Sequence, residues 1–180
     1  MGSSKFLLFL LLSFSSHHFL RLFVEADTNL IQKTCSNTKY YELCFSSLKS
    51  NPSSQDADPK GLALIMVGIG IANSTATSSY LSSQLLSTSI DTIMKKVLKE
   101  CADKYSYAVD ALQASVPDLA SEDYDYASMH ITAAADYPNA CHNAFKRYNG
   151  LVYHQELANR EDGLKHICDV VLGIIDNIGW

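Results

Sequence analysis

Eight residues separate Cys35 from Cys44 in the segment Thr34-Cys35-Ser36-Asn37-Thr38-Lys39-Tyr40-Tyr41-Glu42-Leu43-Cys44. In one straight helix their Cα atoms would lie about 13 Å apart, at roughly 1.5 Å rise per residue. A disulfide tolerates only about 4.4–6.8 Å. Either the pair does not bond, or the chain folds back between the two cysteines into a small closed hairpin. The compartment the chain reaches decides between these.

The first 26 residues read as a signal peptide. Lys5 supplies the positive start, Phe6 to Phe14 is an apolar run of suitable length, and Val24-Glu25-Ala26 places small residues at the cleavage positions. A membrane anchor over the same stretch would need about 20 mostly apolar residues. Ser13, Ser15, Ser16, His17, His18 and Arg21 interrupt it. No later segment is read as apolar enough to span a membrane. Removing residues 1–26 takes away Lys5, Arg21 and Glu25, leaving 154 residues with 12 basic and 18 acidic side chains, a net charge of −6. That length suits one domain with a proper core. An acidic chain without a basic run is unsuited to nucleic acid, anionic lipid or acidic polysaccharide.

In an oxidising compartment four of the five cysteines can pair, in 15 possible arrangements. Cys35–Cys44 is the simplest pair because it is local. Helix geometry selects the second. Ile90, Met94, Val97, Cys101, Ala108 and Leu112 recur at three- and four-residue steps, and so do Ala127, Ile131, Ala134, Cys141 and Phe145. Each cysteine therefore lies on the buried face of its helix. Two antiparallel helices joined near Val116-Pro117-Asp118 would bring those faces together, which predicts Cys101–Cys141. Cys168, on a third apolar face with Leu164, Val171 and Ile175, is left as a buried free thiol.

The loop from Ser50 to Asp58 ends in an Asp58-Pro59 helix start. A helix is predicted from about Pro59 to Leu86, with Leu62, Ile65, Ile69, Ala72 and Ala76 inward. Ser87-Thr88-Ser89 marks a turn, with Ser89 capping the next helix. Ser121, with Glu122 and Asp123, is read as opening the third. Pro138 should kink that helix or end it near Tyr137, and Asn149-Gly150 closes the segment. The last helix reads from Val152 to Ile178. No strand signal occurs. The expected fold is all-α, with a helical hairpin over 27–50 and an up-down-up-down four-helix bundle over 59–180.

Catalytic patterns are missing. The histidines His130, His142, His154 and His166 recur every twelve residues, but twelve residues rotate a helix by about 120° net. They share no face and are expected to look outward, with no metal bound. No Gly-x-Ser-x-Gly elbow exists, and the carboxylates at 122, 123 and 125 complement a helix start. No cofactor and no enzymatic activity are expected. Asn73-Ser74-Thr75 is a glycosylation sequon, usable only if Asn73 faces solvent.

Cys35 with Asn37 and Thr38 through Leu43-Cys44 and Leu48, then Leu62 to Val67, then Cys101 with Tyr105, Ala108 and Leu112, then Cys141, follow one another in order. With them the chain resembles the plant invertase and pectin methylesterase inhibitors, including their pollen-allergen branch. The resemblance implies both disulfides, secretion to the cell wall or vacuole, and blockade of the substrate cleft of pectin methylesterase or invertase. Invertase inhibitors of this kind insert a Pro-Lys-Phe segment near the start of the third bundle helix. Counting back from Cys141, Tyr124-Asp125-Tyr126 stands there and is the expected contact. Asp125 would repel the catalytic carboxylates of a glycosidase, so the departure favours pectin methylesterase as target. A helical-bundle carrier of a small ligand, without inhibitory activity, is the alternative.

Overall fold

A computed structural model describes residues 29–86 and 91–179. The segments read as the signal peptide and the Ser87-Thr88-Ser89 turn lie outside them. Helix α1 covers 29–36 and α2 covers Tyr41–Ser50, followed by a single 3-10 turn at Pro52–Ser54. The bundle helices are α3 (Pro59–Leu85), α4 (Thr92–Ala120), α5 (Tyr124–Lys146) and α6 (Gln155–Ile178). The described residues contain no strand. α3 and α5 each pack against both α4 and α6, the arrangement of an up-down-up-down bundle.

The hairpin forms as the cysteine spacing requires. The chain reverses between α1 and α2, bringing the Cα atoms of Cys35 and Cys44 to 5.6 Å with a disulfide between them. The Thr38 amide and hydroxyl both donate to the Cys35 carbonyl, at 2.9 and 2.8 Å, which satisfies an orphan acceptor at the end of α1. That turn sits on α6 at Gly173, where an added Cβ would lie 3.3 Å from the Thr38 Cα. Lys39 pairs with Asp169 at 3.1 Å, and the Tyr40 ring lies over His166 at 3.9 Å. Gly173 therefore sets how closely the hairpin docks. Gly173→Val is expected to destabilise the protein by about 1–3 kcal/mol, measured by urea unfolding. An unchanged midpoint would mean that the hairpin shifts freely on α6.

Helix starts follow the expected chemistry at α3, where the Gly61 amide donates to Asp58 Oδ1 at 2.7 Å and Pro59 takes the first position. At α4 the cap is Asp91, whose Oδ1 accepts from the Met94 amide at 2.8 Å, and not Ser89. The prolines do not break their helices. α4 continues through Pro117 to Ala120, and α5 through Pro138 to Lys146. Each proline removes one backbone hydrogen bond. Burial of Leu119 beside one, and of Ala134 and Cys141 around the other, holds the helices together. α6 begins at Gln155, three residues later than predicted, and Gly150 takes the left-handed φ of +93° in the connection before it.

The inward face of α3 also differs from expectation. Leu62, Ala63, Met66, Val67, Gly70 and Leu81 are buried, joined by Ser74 and Thr77. Ile65 and Ile69 are half-buried, while Ala72 and Ala76 are exposed. Apolar residues surround this helix, so their pattern cannot select a face. The neighbours select it instead: a Cβ at Gly70 would meet Leu112 at 3.1 Å and Ile167 at 3.4 Å. Thr77 reaches the interior because its hydroxyl donates to the Asn73 carbonyl at 2.9 Å. By length and composition α3 is apolar enough to cross a membrane, contrary to the sequence reading. In the fold it is a wall of the core.

Facing stripes of α4 and α5 meet as predicted. Val97, Cys101, Ala108 and Leu112 pack with Ala127, Ile131, Ala134 and Phe145, all buried. Cys101 and Cys141 are bonded, with their Cα atoms 4.6 Å apart. Cys168 is a buried free thiol on α6.

Candidate functional site

The turn between α4 and α5 is built by the end of α4, at residues 121–123, five residues beyond the predicted loop. The Glu122 amide donates to the Leu119 carbonyl at 3.2 Å, and the Asp123 amide to the Asp118 carbonyl at 2.8 Å. This pair of bonds is the Schellman ending of a helix, which favours glycine at the left-handed position. Here that position holds Glu122, at φ 63°. Lys60, at the start of α3, grips the Glu122 carboxylate at 2.9 Å. Ser121 therefore closes α4, donating its hydroxyl to the Pro117 carbonyl at 2.9 Å. The cap of α5 is Asp123, whose side chain accepts from the Tyr126 amide.

From this turn the three expected contact residues diverge. Tyr124 is half-buried and packs against the core, its ring close to Gly179 beyond the end of α6. Asp125 is exposed on the first turn of α5, and Tyr126 is 58% exposed. Only Asp125 and Tyr126 are thus presented outward, with Tyr124 as their anchor. Glu122, Asp123 and Asp125 border an open hollow of about 450 Å³ beside Gly179. Met129, one turn after Tyr126, is also exposed.

A second feature was not read from the sequence. On one face, α4 and α5 meet along a seam with Tyr107 beside Tyr137, ring centroids 5.7 Å apart, and Asp118 Oδ2 3.6 Å from His130 Nε2. Arg147 and Glu100 pair at its far end. Tyr126, His130 and Tyr137 are spaced along one stripe of α5, so the seam runs continuously into the exposed first turn. Two helices share it, and no pattern within either one announces it.

The histidines are mostly not solvent-facing. His154 is exposed, but His166 lies tilted against the Tyr40 ring and His130 faces Asp118. His142 stacks on Tyr153 at 4.3 Å and places Nδ1 3.4 Å from Glu161. Glu161 is almost fully buried, accepting from the Tyr153 hydroxyl at 2.8 Å and from Lys165 at 2.5 Å. This cluster ties the α5–α6 connection to the bundle. Among the described residues no three histidine, cysteine or carboxylate side chains are grouped to hold a metal. Asn73 is half-buried within α3, its Oδ1 occluded and its Nδ2 beside Gly163 of α6.

Residues 29–174 match the family model described as plant invertase/pectin methylesterase inhibitor. The chain is 48% identical over 177 residues to cell wall / vacuolar inhibitor of fructosidase 2 of Arabidopsis thaliana, covering 98% of each. It is 37% identical over 153 residues to pectinesterase inhibitor 28 of Oryza sativa subsp. japonica, covering 81% of this chain and 67% of that one. A crystal structure of a mutant pectin methylesterase inhibitor from Arabidopsis superposes with a TM-score of 0.64 at 25% identity, covering 79% of this chain and 92% of that one. The hairpin, the four-helix bundle and the ordered cysteines are those of a protein that belongs to the plant invertase/pectin methylesterase inhibitor family.

Proposed function

We propose that this protein is an exported, non-enzymatic inhibitor of a plant invertase (β-fructofuranosidase), acting in the cell wall or vacuole and docking through the α4–α5 turn. The observation that carries the reading is the 48% identity over nearly the full length of both chains with an inhibitor of fructosidase. It outweighs the leaning towards pectin methylesterase drawn from the missing Pro-Lys-Phe. Two disulfides with all four cysteines fully buried support export through an oxidising compartment. The family relation supports an inhibitor over a bundle that only carries a small ligand.

Asp125 and Tyr126 are the proposed contacts. Tyrosine suits an interface anchor because it offers a large rigid surface with a polar tip. Asp125 does not suit the carboxylates of a glycosidase cleft, so the hydrophobic contacts around Tyr126 and Met129 supply affinity in its place. The second reading is inhibition of pectin methylesterase across the α4–α5 seam, supported by the rice relative and the bundle geometry.

Titration of the mature protein against a plant invertase and a plant pectin methylesterase, in mildly acidic buffer, separates the two readings. Loss of invertase activity alone is expected. Asp125→Lys should then tighten invertase inhibition about ten- to hundredfold, on the order of 1–3 kcal/mol. Tighter inhibition of pectin methylesterase, or an unchanged inhibition constant towards invertase, would move the contact away from this turn.

A further inference from the structure

Of residues 121–126 only Tyr124 is even half-buried, so packing fixes little of the turn that carries Asp125 and Tyr126. The backbone there is also strained. Among the described residues Glu122 is the one non-glycine residue with a positive φ, at 63°, where a Cβ crowds the following carbonyl oxygen. Glycine takes that conformation freely, but it has no side chain to hold. The Glu122 carboxylate accepts from the Lys60 ammonium at 2.9 Å, across 62 positions of sequence. Lys60 is itself well held. Its side chain is only 27% exposed, and it follows Pro59 in the first turn of α3, which Asp58 caps. That helix start is tight, since a Cβ on Gly61 would meet the Ala57 Cβ at 3.0 Å.

The turn thus has two anchors on two different helices. Tyr124 lies against the end of α6, where an added Cβ on Gly179 would sit 3.3 Å from its ring. Glu122 is tied to the start of α3. Asp125 and Tyr126 follow directly after both anchors. Glu122, Asp123 and Asp125 border one open hollow, where their like charges push the turn apart, and Lys60 answers one of them. An ion pair this exposed contributes little to global stability. Its effect is to select one conformation of the turn before a partner arrives, which lowers the ordering cost of docking. We infer that Lys60 and Glu122 are positioning residues: their tie offsets the backbone strain at Glu122 and presets the turn that presents Asp125 and Tyr126 to the target. Their role rests on the proposed docking of invertase through this turn.

The test pairs amide hydrogen exchange of the free protein with inhibition of a plant invertase by the same samples. Lys60→Met should speed exchange at the Asp123 and Tyr126 amides, which close the turn, and leave the amides of α6 unchanged. It should weaken inhibition about two- to fivefold, the factor by which the docking-ready population falls. Glu122→Gly should weaken inhibition to the same extent with a urea midpoint at or above that of the wild type, because glycine removes the strain together with the tie. The swapped pair Lys60→Glu with Glu122→Lys restores the ion pair and should recover slow exchange and potency. Unaltered exchange in Lys60→Met, or full potency in both single variants, would overturn the positioning role. So would a swapped pair that stays weak, since Glu122 would then touch the enzyme itself. A Glu122→Gly variant that loses stability and potency together would overturn it as well, leaving the tie a support of the fold alone. If the wild type inhibits no invertase, the proposed docking fails first, and the role of the tie falls with it whatever the exchange rates.

Discussion

Replacing Cys101 and Cys141 together by alanine is expected to lower the unfolding free energy by about 4 kcal/mol. The bond joins residues 40 apart, and closing a loop of that length removes about that much denatured-state entropy in the chain-entropy model. For a domain of this size the melting temperature should fall by roughly 10–15 °C. The paired change matters, because a single substitution would leave an unpaired thiol in the core. The same replacement of Cys35 and Cys44, which are 9 apart, should cost less, about 3 kcal/mol, and should loosen the hairpin from α6. All four sulfurs are enclosed, so dithiothreitol should reduce neither bond until denaturant opens the fold. Urea unfolding of both double variants checks the order. A larger loss from the hairpin pair would show that its docking at Thr38 and Gly173, not chain entropy, dominates its contribution.

Those bonds were legible because cysteine chemistry and helix periodicity act on a few marked positions. Asp58-Pro59 was legible for the same reason: a cap is a local device, and the Gly61 amide finds Asp58 as the sequence suggests. What misled were signals whose outcome is set by distant neighbours. Pro117 and Pro138 read as breaks, yet burial of the residues around them outweighs one lost hydrogen bond each. The apolar residues of α3 surround it, so its buried face is chosen by Leu112 and Ile167 pressing on Gly70. At the candidate site, the position of Tyr124-Asp125-Tyr126 at the start of α5 was legible by counting back from Cys141. The division of labour within it was not, because Gly179 comes from the far end of the chain to receive Tyr124. The Tyr107–Tyr137 seam was invisible for the same physical reason: it joins residues 30 apart in sequence, one on each helix.

Cys168 should make the protein lose stability steeply in alkaline solution. The thiol has no exposed surface, and burial, with the Asp169 charge adding to it, pushes it from 9.0 up to about 12. The folded protein then keeps a proton that the unfolded chain releases above about pH 9. Since the native state binds more protons there, stability falls as pH rises. The contribution is intact below pH 9 and is lost progressively up to about pH 12, on the order of 4 kcal/mol in all. Tyr105 and Tyr153 act in the same direction at still higher pH. Burial raises both phenols, and the Tyr153 hydroxyl already donates to Glu161. The thiol has a second consequence. Once unfolded above pH 9 it is a thiolate, the form that attacks disulfides, so refolding should fail through exchange with the cysteines of the two native bonds. Cys168→Ala removes both effects, at the cost of a small cavity that is independent of pH. Urea unfolding at pH 8 and pH 10.5 should therefore show the wild type losing about 2 kcal/mol more than the variant. Refolding yield at the higher pH should be recovered in the variant alone. Parallel losses in the two proteins would mean that Cys168 titrates in the folded state, and that its surroundings on α6 open to water.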